Sequence, residues 1–131
     1  MGELYVVSTP IGNLKDITFR AIDTLKEVDL IFSEDTRITK KLLNHLGIKR
    51  RIQSLNEHNE IKKTPKILQH LSQGKSVALV SDAGTPLISD PGYCLVKQAR
   101  EKFFSVIPIP GCCAAIAALS VSGIATDKFY F

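Results

Sequence analysis

Val77-Ala78-Leu79-Val80-Ser81-Asp82-Ala83-Gly84-Thr85-Pro86-Leu87-Ile88-Ser89-Asp90-Pro91-Gly92 passes from an apolar run into a segment that neither a strand nor a helix can carry. Two glycines, two prolines and two aspartates fall within the twelve residues from Ser81 to Gly92. Glycine favours turn conformations, and proline removes a backbone donor. A helical pattern resumes at Tyr93. The chain therefore makes a shaped loop just past the carboxyl end of a buried strand. In an open α/β sheet that is where ligands bind. Simple turn chemistry is the competing reading of the same residues.

Working outward, strand and helix patterns alternate along the whole chain. Leu4-Tyr5-Val6-Val7, Leu30-Ile31-Phe32, Ile52-Gln53-Ser54-Leu55, residues 77–80 and Phe104 to Ile109 read as strands. Ile17, Ala21, Ile22, Leu25 and Val28 recur at helical spacing behind Asp16, which the pattern makes an N-cap. Thr36 is expected to cap a second helix carrying Ile38, Leu42, Leu43 and Leu46 and ended by Gly47. Thr64-Pro65 reads as the cap and first residue of a third helix, with Ile67, Leu68 and Leu71 inward. A fourth helix spans about Tyr93 to Lys102, and a small-residue helix runs from Cys112 to Ser120 behind Pro110-Gly111. Such alternation predicts an α/β fold: a five-stranded, mainly parallel sheet with helices on both faces. Residues 1–126 form one α/β domain in this reading. Residues 127–131, with the aromatic Phe129-Tyr130-Phe131, begin a link into a further domain.

The 131 residues suffice for one core, and 44% hydrophobic with 23% charged residues describes a soluble globular domain. No apolar stretch approaches the ~20 residues that span a bilayer, and no signal-type segment opens the chain, so a cytoplasmic protein with no membrane partner is expected. Cys94, Cys112 and Cys113 lack metal or disulfide spacing and read as reduced thiols. His45, His58 and His70 share no ligand spacing either, so no metal site is expected. Charge is uneven. Residues 37–66 hold nine Lys/Arg against Glu57 and Glu60, a segment charge of +7 within a chain of +4. A polyanionic partner and a solvated helix face are the two readings of that run.

Five polar segments follow the five strands: Ser8 to Asn13, Ser33 to Arg37, Asn56 to Asn59, Ser81 to Gly92, and Pro110-Gly111-Cys112. A parallel sheet gathers them along one edge. The 81–92 loop and Pro110-Gly111 offer backbone N–H groups, hydroxyls and little bulk, which suits an adenosine-type or other small polar ligand. Neither G-x-x-x-x-G-K-[ST] nor G-x-G-x-x-G is present, which excludes a Walker phosphate site and the ordinary dinucleotide fingerprint. Glu34-Asp35-Thr36-Arg37 places two carboxylates and a guanidinium at a helix start. Asp35 is either a base or hydroxyl-orienting group or a helix cap, and Arg37 either a phosphate contact or a local ion-pair partner. Glu57-His58 supplies a further acid/base candidate or a solvated pair.

Leu4 to Leu14, Ser33 to Arg37, the 81–92 loop and Ile109-Pro110-Gly111, in this order and spacing, closely resemble the tetrapyrrole methylase superfamily. Within it they resemble the branch of ribosomal RNA small-subunit methyltransferases, and the likeness runs through essentially the whole chain. Porphyrin and corrin methylases carry Gly-Asp-Pro where this chain has Gly84-Thr85-Pro86. The resemblance implies an S-adenosyl-L-methionine-dependent enzyme that methylates a cytidine ribose 2′-hydroxyl in the decoding region of small-subunit (16S) rRNA, free or within the assembled subunit. It implies cofactor contacts at Pro10, Asp82, Ala83, Gly84, Thr85, Pro86, Ile88, Ser89, Asp90, Pro110, Gly111, Ala114 and Ala115. Asn13, Arg37, Lys40 and Lys41 would meet the RNA, in keeping with the basic run. Family members carry a second domain that completes the cofactor cleft, so this stretch alone is expected to bind cofactor weakly and to be weak or inactive as an enzyme. Members often dimerise, which places a homodimer among the expected assemblies.

The expected chemistry is direct in-line transfer, with alignment as the protein's main contribution. Asp35 is the first candidate for base or orienting carboxylate, followed by Glu34 and His58. A superfamily relative acting on a tetrapyrrole or other small molecule, and a non-catalytic ligand-binding module, are the alternatives.

Overall fold

The structure, a computed structural model, describes residues 1–131. Five strands, β1 (Glu3–Val7), β2 (Leu30–Ser33), β3 (Ile52–Ser54), β4 (Val77–Val80) and β5 (Ser105–Ile109), alternate with α1 (Phe19–Glu27), α2 (Thr36–Leu46), α3 (Glu60–Ser72) and α4 (Tyr93–Glu101). A last helix, α5 (Ala114–Val121), follows β5. The sheet order is β3-β2-β4-β1-β5 and every pairing is parallel.

The period-2 geometry of strands sorts side chains between two cores. Val77 and Leu79 of β4, with Leu30 and Phe32 of β2, pack with Ile67, Leu68 and Leu71 of α3 and with Leu95 and Ala99 of α4. Ala78 and Val80 of β4, with Ile31 of β2, pack with Ala21 and Leu25 of α1 and Leu43 of α2 on the other face. Helices α1 and α2 thus cover one face and α3 and α4 the other. All four residues of β2 and of β4 are buried, as continuous apolar runs in a two-faced sheet should be. The helices following β1 and β4, adjacent strands, leave for opposite faces. The carboxyl ends of these two strands therefore flank a topological switch point.

Several helix starts differ from the sequence expectation, each for a local reason. Thr18, not Asp16, caps α1 by accepting the Ala21 N–H at 3.0 Å; Asp16 ends a 3₁₀ turn over Leu14–Asp16. Asp35, one residue before Thr36, caps α2 by accepting the Arg37 N–H. Helix α3 begins at Glu60, a full turn before Thr64-Pro65, and Pro65 lies inside it. The turn that starts it is tied by side-chain amides: Asn59 Oδ1 accepts the Asn56 N–H, and Asn56 Oδ1 accepts from His58 and Asn59. Pro65 has no N–H to offer the Ile61 carbonyl one turn back. The fifth helix begins at Ala114 rather than Cys112, and residues 128–131 form no strand.

Glu60 explains why α3 starts early. Its carboxylate is buried, and it accepts the Gly92 N–H and the Leu95 N–H, each at 2.9 Å. These are orphan donors at the first turn of α4, whose own N-cap position is a glycine without a side-chain acceptor. One helix thus caps another and fixes the point where the 81–92 loop ends. Replacing Glu60 by Ala strands both donors and is expected to cost about 2 kcal/mol, read as a lowered urea midpoint with unchanged slope. Glu60→Gln, which keeps an acceptor, is expected to lose less.

Candidate ligand site at the carboxyl edge of the sheet

Past the strand ends, the loops are tied to one another by backbone and hydroxyl groups. Thr9 and Gly84 exchange both backbone hydrogen bonds at 3.0 Å as an isolated antiparallel bridge. The Ser8 hydroxyl lies 2.8 Å from the Thr85 hydroxyl, which donates to the Cys112 carbonyl at 3.0 Å. The Ser81 hydroxyl lies 3.1 Å from the carbonyls of Ala83 and Gly84. Gly111 sits where a Cβ would lie 2.9 Å from that of Ser8, so this crossing of the β1 and β5 loops admits no side chain. The Asp82 carboxylate accepts the Asp35 N–H at 3.0 Å and attaches the start of α2 to the same assembly.

The 81–92 loop holds its shape at a conformational cost. Leu87 (φ 76°) and Ser89 (φ 60°) occupy the left-handed region, which costs an ordinary residue about 1 kcal/mol. Leu87 packs against the α3/α4 core and closes on Gly92, where a Cβ would meet its side chain at 3.0 Å. Packing of Leu87 thus holds a backbone that its own preference opposes.

Two cavities open on this edge. One of about 490 Å³ lies between the β1 loop, α2 and the start of the β4 loop, lined by Pro10, Ile38, Lys41, Leu42, Asp82 and Ala83 among others. The other, about 280 Å³, lies between the β4 loop and the start of α5, with Gly84, Thr85, Ile88, Asp90, Ala114 and Ala115 on its walls. Nine of the thirteen residues expected to hold a cofactor thus line one cavity or both, Ala83 being shared by the two. Pro86, Ser89, Pro110 and Gly111 line neither; Pro86 is buried and Gly111 spaces the loops. The hydroxyls of Ser8 and Ser81 and the backbone of Thr9, which the sequence placed in its polar segments without a separate role, also build the site, as do Ile38 and Leu42, which it did not mark. Polar residues directly after the apolar strands β1 and β4 were the signal for the first three. The flank of α2 offered none, since Leu42 reads simply as core.

The carboxylates differ in character. Asp35 is held down to about 2 by hydrogen bonds from the Arg37 guanidinium (3.1 and 2.8 Å) and the Arg37 N–H. That commitment makes it a cap and an anchor for Arg37 rather than a ready proton acceptor. Glu34 is raised, first by burial and then by Asp82, Asp90, Glu57 and Asp35; Asp90 is raised by burial and Asp82. None of Glu34, Asp35 and His58 lines either cavity; Asp35 is tied to the cavity-lining Asp82, whereas His58 is exposed and pairs with Glu57 at 3.5 Å. Asn13 caps the 3₁₀ turn by accepting the Lys15 N–H.

Basic side chains fall into two groups. Arg50 donates to the carbonyls of Val28 (3.0 Å), Lys26 and Lys49, closing the end of α1. Lys63 donates to the Ser54 carbonyl and hydroxyl at 2.7 and 3.0 Å. Arg37 and Lys40 instead face an open depression of about 700 Å³ between α2 and β3, with Lys49 and Arg51 on its far side. Lys41 lies on the opposite flank of α2, at the larger of the two edge cavities.

Fold and loops together define an α/β protein with two cavities at the carboxyl edge of a parallel sheet. The family model described as Tetrapyrrole (Corrin/Porphyrin) Methylases matches residues 3–130, and the chain belongs to that family. It is 57% identical over 130 residues to the protein named Ribosomal RNA small subunit methyltransferase I of Haemophilus influenzae, covering 99% of this chain and 46% of that one. Proteins of the same name from Escherichia coli O157:H7 and Halalkalibacterium halodurans are each 55% identical over 99% of this chain, covering 46% and 45% of theirs. The chain therefore spans a little under half the length of the curated relatives it matches. Among solved structures, a uroporphyrin-III-C-methyltransferase from Thermus thermophilus superposes with a TM-score of 0.70 at 21% identity, over 95% of this chain and 53% of that one. That likeness concerns the fold.

The carboxylate assignments can be read by titration. Asp35 is expected to titrate near 2 in a carboxyl-carbon NMR experiment and to return towards 3.8 in Arg37→Ala. Because the folded value lies below the unfolded one, the pair's contribution is present above about pH 4 and is lost as pH falls towards 2. The pair is exposed, so that contribution is small. Asp82→Asn keeps the acceptor for the Asp35 N–H and is expected to lower the Glu34 midpoint.

Proposed function

We propose that this chain is the part of an S-adenosyl-L-methionine-dependent methyltransferase that carries the substrate cavity and one wall of the cofactor cleft, acting on a ribose 2′-hydroxyl of a cytidine in small-subunit ribosomal RNA. The observation that carries the reading is the tying together of the β1, β4 and β5 loops around the two edge cavities, in a chain whose relatives at 55–57% identity bear a ribosomal RNA methyltransferase name. Residues present fit the cofactor. Gly84 and Gly111 let backbone come close, and the walls of Ala83, Thr85, Ala114 and Ala115 leave room for a flat nucleoside. The basic depression beside α2 favours an RNA substrate over a tetrapyrrole.

S-adenosylmethionine, when bound, supplies a methyl group on a sulfonium as the electrophile. The chain's own residues align the attacking hydroxyl and handle its proton. In this reading Glu34 takes the hydroxyl proton: it immediately precedes Asp35, whose N–H is held by the cavity-lining Asp82, and its affinity for a proton is raised where that of Asp35 is lowered. Asp35 holds the start of α2 and Arg37, and His58 has no part in the transfer.

Helix α5 supports a cleft with a second wall. Its sequence, AAIAALSV, is apolar almost throughout, yet none of its residues is buried. A helix apolar all round is normally covered. In the proposed enzyme, the portion by which the relatives exceed this chain covers α5 and residues 127–131 and completes the cofactor cleft.

Calorimetric titration with S-adenosylhomocysteine tests the reading, using this chain beside a version extended to the relatives' length. Binding by the extended protein, tighter by tenfold or more than by this chain, is expected; folded proteins that both fail to bind would overturn it. In the extended protein, Glu34→Gln is expected to lower kcat at least tenfold with little change in KM for RNA.

A further inference from the structure

We infer that the depression between α2 and β3 is a docking groove for the phosphates of the RNA strand flanking the target nucleotide, with α2 as a ridge that separates this strand from the nucleotide being modified. The inference rests on the reading of the substrate as RNA.

Helical spacing on α2 makes the division. Arg37, Lys40 and Asn44 lie at i, i+3 and i+7 and line the depression. Ile38, Lys41 and Leu42 lie at i, i+3 and i+4 and line the edge cavity of about 490 Å³. Consecutive lysines, Lys40 and Lys41, therefore serve opposite flanks of one helix. Across the depression stand Lys49 and Arg51, and its floor is Leu43, Ile48 and Ile52. No carboxylate lines it; the nearest on α2's start, Asp35, is already paired with Arg37. Cationic walls without internal counter-charge over an apolar floor suit a flexible polyanion whose phosphates meet the walls and whose sugars or bases rest on the floor. Arg50 lines the same depression but spends donors on the carbonyls of Lys26, Val28 and Lys49, so it shapes the groove without being free to bind.

Three exposed cations define the test: Lys40, Lys49 and Arg51. A fluorescent single-stranded RNA of about twelve nucleotides is titrated at several salt concentrations with the unaltered 131-residue chain and with two triple variants of equal charge change. Lys40→Ala/Lys49→Ala/Arg51→Ala removes the groove cations. Lys62→Ala/Lys66→Ala/Lys97→Ala removes exposed lysines from α3 and α4 on the opposite face of the sheet. The groove variant is expected to bind at least about tenfold more weakly and to lose about 2 from the log–log salt slope, while the control stays within about twofold. Both should keep the unaltered thermal midpoint within a few degrees. Equal losses in the two variants would overturn the groove and leave the RNA reading standing. Absence of salt-dependent binding by the unaltered chain would overturn both, while cofactor binding would still be judged by the calorimetry above.

Discussion

Thr9 and Gly84 exchange both of their backbone hydrogen bonds just beyond the strands that carry them, and the carboxyl edge is arranged around that exchange. The sheet makes it available. Parallel pairing of β1 with β4 in register Val7 to Val80 brings the two chains off the sheet side by side, with their next helices bound for opposite faces. Two diverging segments would otherwise leave unpaired polar backbone in a crowded place. Pairing them satisfies those groups and leaves Ser8, Ser81 and Thr85 to bind one another and the β5 loop. The cavities are what remains on either side of the clamp.

This construction separates rigidity from charge. The centre of the site is held by neutral groups at short range, and by a loop whose Leu87 is kept in left-handed backbone by packing. Charged groups stand at the periphery: carboxylates around Glu34 on one side of the α2 start, cations beyond α2 on the other. Partial burial and four neighbouring carboxylates raise Glu34, whereas Asp35, one residue on, accepts hydrogen bonds from Arg37. Neighbouring carboxylates in the sequence thus acquire opposite tendencies from their different partners.

Most of the architecture was legible in the residues, because the signals were of the kind that burial enforces. Apolar runs such as Val77 to Val80 can only be inner strands, and the 81–92 segment can only be a loop. Helix starts were less legible. Thr64-Pro65 looked like a beginning, but Asn56, Asn59 and the buried Glu60 begin α3 a turn earlier through contacts with residues some thirty positions away, which no local pattern announces. The same limit applied to the site. Small residues marked the 81–92 and 110–115 segments, yet the contribution of Ile38 and Leu42 came from α2 lying beside the β1 loop, a tertiary fact. Within the run of nine basic residues, nothing in the sequence distinguished Arg50 and Lys63, which hold the fold, from Lys40, Lys49 and Arg51, which face solvent.

Glu60 has one more consequence. It stands at the junction between the Asn56–Asn59 turn and α3, and its two oxygens grip the residues where the 81–92 loop becomes α4. The turn after β3 and the loop after β4 are therefore mechanically joined through the interior of the protein, although β2 lies between their strands in the sheet. Moving that outer turn away from its place therefore requires breaking two buried hydrogen bonds at the start of α4.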